Sequence, residues 1–356
     1  MELRIINTEE GFLSVRNKWN KIVYRMVDAT PFQTWEWNYY WWKDLEENVE
    51  LYILEAFEGK ESYGFAPMIV KNKKIEFIGD KHFDYGMFVV SERKREIVEL
   101  FIEKINFKVK KERITAFLKC IPQKSSEFCF MDEYKANNRL SCLLWQVPTA
   151  GVHLGEYDSF DGYMKAVSGS LRKKAIKPCL KSDLEYEIES FSDEVWSDIE
   201  AIYSDRQEDR VGTSDIKWAK PIVKAMSNEQ LMKISTLSLR EKRVAYLIFF
   251  DFNGKRYVWL TAFKKTDNLQ LGHFIRYHLI KSSYECQINE VDMMRGAYDY
   301  KKQWDCNVFY NYEFILFSNI FQKIYYLAYR RCRKILRDIV YNNRVLKRLY
   351  KNHGKR

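Results

Sequence analysis

The chain has 356 residues, 46% hydrophobic, 16% aromatic and 30% charged, which excludes a largely disordered protein and leaves room for one large domain or two ordinary ones. Its net charge of +10 is local: residues 321–356 hold twelve Lys or Arg against the single acid Asp338, a net of +11, so the rest sums to −1. A neutral body with a basic tail does not read as a nucleic-acid binder.

No run of 18 apolar residues suggests a membrane span. Seven cysteines without a CxxC pair fit reduced thiols, and histidines 82, 153, 273, 278 and 353 form no ligand cluster, so no metal is expected. The opening Met-Glu-Leu-Arg-Ile-Ile-Asn-Thr-Glu-Glu lacks the basic-then-apolar order of a secretion signal, so a cytoplasmic location is expected.

In chain order, Glu9–Arg25 predicts a helix, and Thr34–Leu45 an aromatic helix entered through Thr30-Pro31-Phe32-Gln33. Leu51–Phe57 and Tyr63–Val70 predict paired strands, Lys74–Ile78 another strand ended by Gly79-Asp80, and Phe83–Val90 follows that turn. Glu92–Phe107 predicts a helix and Arg113–Leu118 a strand. The second half, from about Gly151, predicts helices at Ser159–Val167 and Leu171–Lys181, a strand at Leu184–Glu189, and helices at Asp193–Asp205 and Ser214–Met226. A strand at Leu231–Leu239 precedes the hairpin Val244–Phe252/Lys255–Phe263, whose Asn253-Gly254 is a strong turn signal. A helix at His273–Cys286 and a strand near Val291–Met294 close the pattern. Hairpins before a helix–strand finish in each half predict an α/β (α+β) fold of two modules, each a mixed, mostly antiparallel sheet flanked by helices. The expected division is 1–150, 151–320 and a basic helical tail at 321–356.

Strand, Gly-containing loop, helix, strand is how a chain offers free N–H groups at a helix start to a phosphate, which makes Gln270, Leu271, Gly272, His273 and Phe274 a candidate cradle. Lys255–Phe263 and Glu290–Met294 are the strands on either side of it. Asp292, among Val291, Met293 and Met294, is either a functional acid or a core carboxylate paired with Arg295. Asp84 and Tyr85 either cap a loop or line a cleft, and Tyr300 and Lys301 either serve a substrate or cover Trp304. Arg172, Lys173 and Lys177 are a solvated helix face or an anion site, His273 a base or a helix-start neighbour, and Trp35–Trp42 a core or a carbohydrate-stacking run. Cys286 and Cys306 have no flanking base, so no covalent enzyme intermediate is expected.

Several stretches resemble the CelD-type acetyltransferases of the GNAT superfamily. These are Phe32-Gln33-Thr34-Trp35-Glu36-Trp37 with Trp41-Trp42, Gly64-Phe65-Ala66-Pro67-Met68, Ile78-Gly79 with Asp84-Tyr85, Ser170–Lys177, and Asp292, Arg295-Gly296, Tyr300-Lys301 and Trp304. The chain departs from that family at Gln270-Leu271-Gly272, where a small residue, Pro and Gly are usual, and at Ala297-Tyr298, where acids are usual. The resemblance implies tandem GNAT-like modules, an arrangement shared with the aminoacyl transferases of peptidoglycan bridges. It implies transfer from acetyl-CoA or another acyl-CoA to an amine of an amino sugar, nucleotide sugar or polysaccharide precursor of the cell envelope. Asp292 and Tyr300 would be catalytic, and residues 270–274 would hold the donor. Asp84, Tyr85, Arg172, Lys173, Arg295, Lys301 and Trp304 would face substrate. The alternatives are an aminoacyl-tRNA-dependent transferase, where tRNA would be the one nucleic-acid partner, and a scaffold that has lost catalysis. The resemblance implies that the donor binds the second module only, across a splayed pair of strands near Trp259–Phe263 and Glu290–Met294; the tail is expected on an anionic membrane at its inner face.

Overall fold

Asn253 and Gly254 turn the chain with left-handed backbones (φ 48° and 70°), the mirror-image turn whose twist suits a tight hairpin. They join Lys242–Phe252 to Lys255–Phe263. The computed structural model describes residues 1–45, 48–207, 215–266 and 268–342, and sets this hairpin inside a seven-stranded sheet. Its strand order is Leu184–Glu189, Met232–Leu239, Lys242–Phe252, Lys255–Phe263, Glu290–Arg295, Thr149–His153 and Asn307–Phe309. One neighbouring pair is parallel, Lys255–Phe263 with Glu290–Arg295, because the helix Leu271–Glu285 carries the chain back between them.

The first half builds two sheets from one bent hairpin. Glu50–Leu51 and Met68–Lys71 enter a six-stranded sheet, while Ile53–Glu58 and Glu61–Ala66 enter a four-stranded one with Glu2–Ile6 and Val89–Val90. The break falls at Tyr52 and Pro67. Pro67 has no N–H to give the ladder, and Tyr52 N–H donates to Met68 O at 2.9 Å. This half has its own parallel pair: Lys74–Phe77 runs beside Thr115–Pro122 for three residues, joined by the helix Lys94–Glu112. The same construction therefore occurs twice, and the fold is mixed α/β with tandem GNAT-like halves.

The second module, expected at 151–320, does not keep its last strand. The strand Asn311–Phe317 returns to the first half and sits between Thr115–Pro122 and Ser141–Trp145. A seven-residue strand with one charged position can pair in either sheet, and its sequence does not say which. Three other expectations shift. Glu9–Arg25 splits at Val15 into Glu9–Ser14 and Arg16–Val23. Phe83–Val90 is a loop that pairs at Val89–Val90 alone. Leu171–Lys181 stays helical but widens into a π turn at Arg172–Ile176, just before Pro178, whose missing N–H breaks the ordinary ladder. The distal tail, 343–356, lies outside the described residues.

Two cores flank the seven-stranded sheet. On one face Val258, Val291, Met293 and Trp304 pack against Leu271, Phe274 and Leu279 of the Leu271–Glu285 helix. On the other face Tyr246, Ile248, Phe250 and Tyr257 are continuous with the core of the first half. Trp35, Trp37 and Trp41 are buried in that shared core, Trp37 edge-on to Phe250 at 5.8 Å, so the aromatic run packs the seam and is not a sugar platform.

Candidate active site at the seam of the two halves

The parallel strands pair at Lys255↔Glu290, Arg256↔Val291 and Tyr257↔Asp292, and no further. Beyond that point Val258–Phe263 and Met293–Arg295 part, leaving a V with Asp292 at its apex. Both arms carry the irregularity that opens it: a register shift opposite Ile248/Phe249 on one, and left-handed Met294 (φ 62°) with Gly296 (φ 93°) on the other. Alternation along the second arm sends Val291 and Met293 toward the helix and Met294, with Asp292, toward the first half.

Asp292 is 3% exposed. Its Oδ1 accepts the Met294 N–H at 2.6 Å, which fixes the left-handed turn, and its Oδ2 accepts the Tyr85 hydroxyl. Burial pushes its carboxyl up to about 7, against the downward pull of those two hydrogen bonds. Burial, then the charge of Asp292, pushes the Tyr85 phenol well above its ordinary value, so the shared proton stays on the tyrosine. The Tyr257 ring stands edge-on to Tyr85 at 6.4 Å.

Residues 82–85 of the first half hold both arms. Trp259 Nε1 donates to His82 O at 2.9 Å from one side. From the other, Arg295 donates its backbone N–H to Asp84 Oδ2 at 2.9 Å, pairs Nε with Asp84 Oδ1 at 2.8 Å, and reaches Phe83 O at 2.6 Å. The expected pairing of Arg295 with Asp292 is thus corrected: its partner is Asp84. Burial alone would lower the Arg295 guanidinium, yet Cys120 and Asp84 beside it hold it above its ordinary value. The His82 ring lies between Trp41 (4.8 Å) and Trp218 (3.9 Å), where burial pushes its imidazole down to about 4 and keeps it neutral. Gly86 closes the loop: its N–H donates to Cys120 O at 2.9 Å, and a Cβ there would fall 2.1 Å from Lys119 O. That contact places the loop inside the first half's own parallel pair.

On the opposite face of the V lies the start of Leu271–Glu285. Gln270 gives no side-chain cap, and His273 and Phe274 donate to Gln270 O, which leaves the N–H groups of Leu271 and Gly272 as first-turn donors. The reason for Gly272 differs from the one expected. A Cβ there would meet the Phe263 ring at 2.4 Å, so the glycine admits that ring. His273 Nδ1 accepts from Trp304 Nε1 at 3.2 Å and its ring is pushed down to about 4 by burial, which makes it a neutral acceptor. Tyr300 lies beside this turn, its ring 6.2 Å from His273 and 4.8 Å under the Arg276 guanidinium.

Two expected substrate contacts are turned inward and buried. Lys301 is buried, and its Nζ donates to Met293 O and Met294 O at 2.7 Å and to Arg295 O at 2.9 Å, tying the irregular end of the second arm. Burial pushes its ammonium down to about 8. Trp304 is fully buried in the helix-side core. Arg172 and Lys173 are exposed on the π turn, which packs through Ala175 and Ile176 against the helix Leu271–Glu285. Sequence reasoning missed Tyr257 and His82, and also Arg276, a buried arginine that donates to Gly272 O. A lone Arg four residues after Gly272 on an apolar helix face was the available signal for it.

Among the described residues, no group of three His, Cys, Asp or Glu is arranged for a metal ion, and no helix is long and apolar enough to cross a membrane. Residues 173–302 match the family model described as an acetyltransferase (GNAT) domain. A search of curated proteins returned no match. Among solved structures the chain is similar to FemX, with TM-score 0.67 and 13% identity over 92% of this chain and 99% of that one. It is also similar to the C-terminal domain of a putative lysylphosphatidylglycerol synthetase from Agrobacterium fabrum (TM-score 0.56, 10% identity, 87% and 94% covered). A tandem GNAT protein of the clavulanic acid biosynthesis pathway is similar too (TM-score 0.53, 10% identity, 90% and 99% covered). At these identities the similarity is one of fold.

Proposed function

We propose that the second half transfers an acyl group from an acyl-CoA thioester to an amine, at the apex of the V. The observation that carries this reading is the position of Asp292. It is the last paired residue before the strands part, poised near neutral, and linked through the Tyr85 hydroxyl to the first half. The parted strands offer unpaired edges to a pantetheine arm, and the uncapped helix start at Leu271–Gly272 offers N–H groups to a pyrophosphate. The first half's counterpart is filled by its own loop at Gly86, which favours a single donor site.

In this reading the acceptor approaches from the first-half face. Its amine nitrogen bonds to the thioester carbonyl carbon, and Asp292 takes the proton that the nitrogen loses, through the Tyr85 hydroxyl. The carbon–sulfur bond then breaks, and Tyr300, on the helix face, supplies the proton that the sulfur gains. Asp84 and Arg295 line the acceptor side. The CelD-type resemblance supports an amino sugar, nucleotide sugar or polysaccharide precursor of the envelope as that acceptor.

The test is titration calorimetry of the chain with acetyl-CoA, followed by mass analysis of a panel of amino sugars and nucleotide amino sugars. Donor binding and acylated product are expected. Absence of donor binding overturns the proposal. Charged tRNA serves as the rival donor, and transfer from it in place of acyl-CoA replaces this reading with an aminoacyl one.

A further inference from the structure

Among the described residues, the helix Ile320–Asn342 docks through its first three turns. Tyr326 packs on Phe117 and Phe317 at 5.5 and 5.6 Å, and Leu327 joins the same small cluster. Lys323 Nζ donates to Arg139 O and Ser141 O at 2.8 Å, and Arg330 pairs with Glu313 at 2.9 Å. These residues share one face. The face turned away carries Phe321, Ile324, Tyr325, Ile335, Leu336 and Ile339, each 50–78% exposed and recurring at the three- and four-residue spacing of one helical stripe. Arg331 and Arg333, both exposed, flank that stripe, and 320–337 hold six cations and no acid.

We propose that this face rests on an anionic lipid surface, with the aliphatic and aromatic stripe at the acyl–headgroup boundary and the flanking arginines on lipid phosphates. The combination selects the partner. A second copy of the same face would set Arg331 and Arg333 against their own counterparts, which opposes self-docking. A nucleic acid would satisfy the cations but leave the Phe, Ile and Leu stripe in water. An anionic bilayer satisfies both, and the tyrosines suit the boundary between them. This inference stands apart from the acyl-transfer reading, because none of these residues lies at the V.

The test is sedimentation of the full chain with vesicles of phosphatidylcholine alone and of phosphatidylcholine with phosphatidylglycerol, at low and high salt. Binding is expected to the anionic vesicles and to weaken with salt. Ile335→Glu with Leu336→Glu, and separately Arg331→Glu with Arg333→Glu, should each lower binding by about tenfold or more, with thermal unfolding unchanged. All four positions are exposed, so neither variant disturbs the core. A native chain that ignores anionic vesicles overturns the proposal, as does binding indifferent to the Ile335/Leu336 change. Light scattering that shows a dimer dissociated by that change, or RNA capture that survives it, assigns the face to a second copy or to nucleic acid and overturns it equally.

Discussion

The Tyr85 hydroxyl donates to the Asp292 carboxylate across the seam of the two halves, between residues 207 positions apart. The acid belongs to the second half's V, and the phenol that shapes its chemistry belongs to a loop packed into the first half's equivalent V. In the proposed function one copy of the construction holds the donor, while the other fills its opening with the loop that presents Tyr85. That division of labour explains why two similar halves yield a single candidate site.

Loss of either member of the pair should disable turnover without unfolding the chain. Asp292→Asn keeps an oxygen for the Met294 N–H, so it should fold normally and lower the transfer rate by about a hundredfold or more. Tyr85→Phe should lower it comparably. The double variant should be little worse than either single one, as expected of groups that act as a unit. Transfer rates with the unfolding midpoint alongside check this, and a fully active Asp292→Asn would return that acid to a purely structural role.

The raised Asp292 carboxyl predicts two pH dependences of opposite sense. Activity needs the ionised acid, so kcat/KM should rise with pH through an apparent value of about 7 and level off above it. Stability should move the other way. Between the ordinary carboxyl value of 3.8 and about 7 the folded chain holds a proton on Asp292 that the unfolded chain has lost, so stability falls as pH rises across that window. Asp292→Asn should remove this part of the slope, which urea unfolding across the window would show.

The hairpin at Asn253-Gly254 was legible because turn chemistry and period-two patterning are local, whereas the parting of the strands was expected from the family resemblance alone. Asp292, Tyr85, Asp84 and Arg295 were each singled out by type and neighbours, but their partners were not. The expected Arg295–Asp292 pair gives way to Arg295–Asp84, because which carboxylate meets the guanidinium is set by a loop from the other half. Lys301 and Trp304 misled for a related reason. A cation near a cleft strand reads alike whether it reaches outward or turns in to three carbonyls. The return of Asn311–Phe317 to the first half is a non-local pairing that no nearby residue signals.

Lys301→Met should be destabilising, though it preserves length and apolar bulk. It leaves the carbonyls of Met293, Met294 and Arg295 without the donor that ties them, and an unpaired buried carbonyl costs about 1–3 kcal/mol. A loss of at least about 2 kcal/mol is expected, together with a weaker donor titration, since the second arm of the V loses its anchor. Chemical denaturation checks the first and calorimetry the second. An unchanged midpoint would mean that the Lys301 contacts contribute little.

Gly86→Ala tests whether the loop of the first half governs chemistry in the second. The added Cβ would lie 2.1 Å from Lys119 O, a main-chain atom within the strand Thr115–Pro122. The loop must therefore move, and overpacking of this kind costs about 1–3 kcal/mol, occasionally more. Residues 82–85 would shift with it and slacken the Tyr85–Asp292 and Asp84–Arg295 contacts. Turnover should fall by about tenfold or more, since small misplacements of positioned groups are costly. Donor affinity should change far less, because Leu271 and Gly272 lie on the other face of the sheet. The pH limb near 7 should also move, since Asp292 would lose part of the environment that Tyr85 provides. A variant with lowered stability but native turnover and an unmoved limb would show that the loop packs the seam without shaping the site.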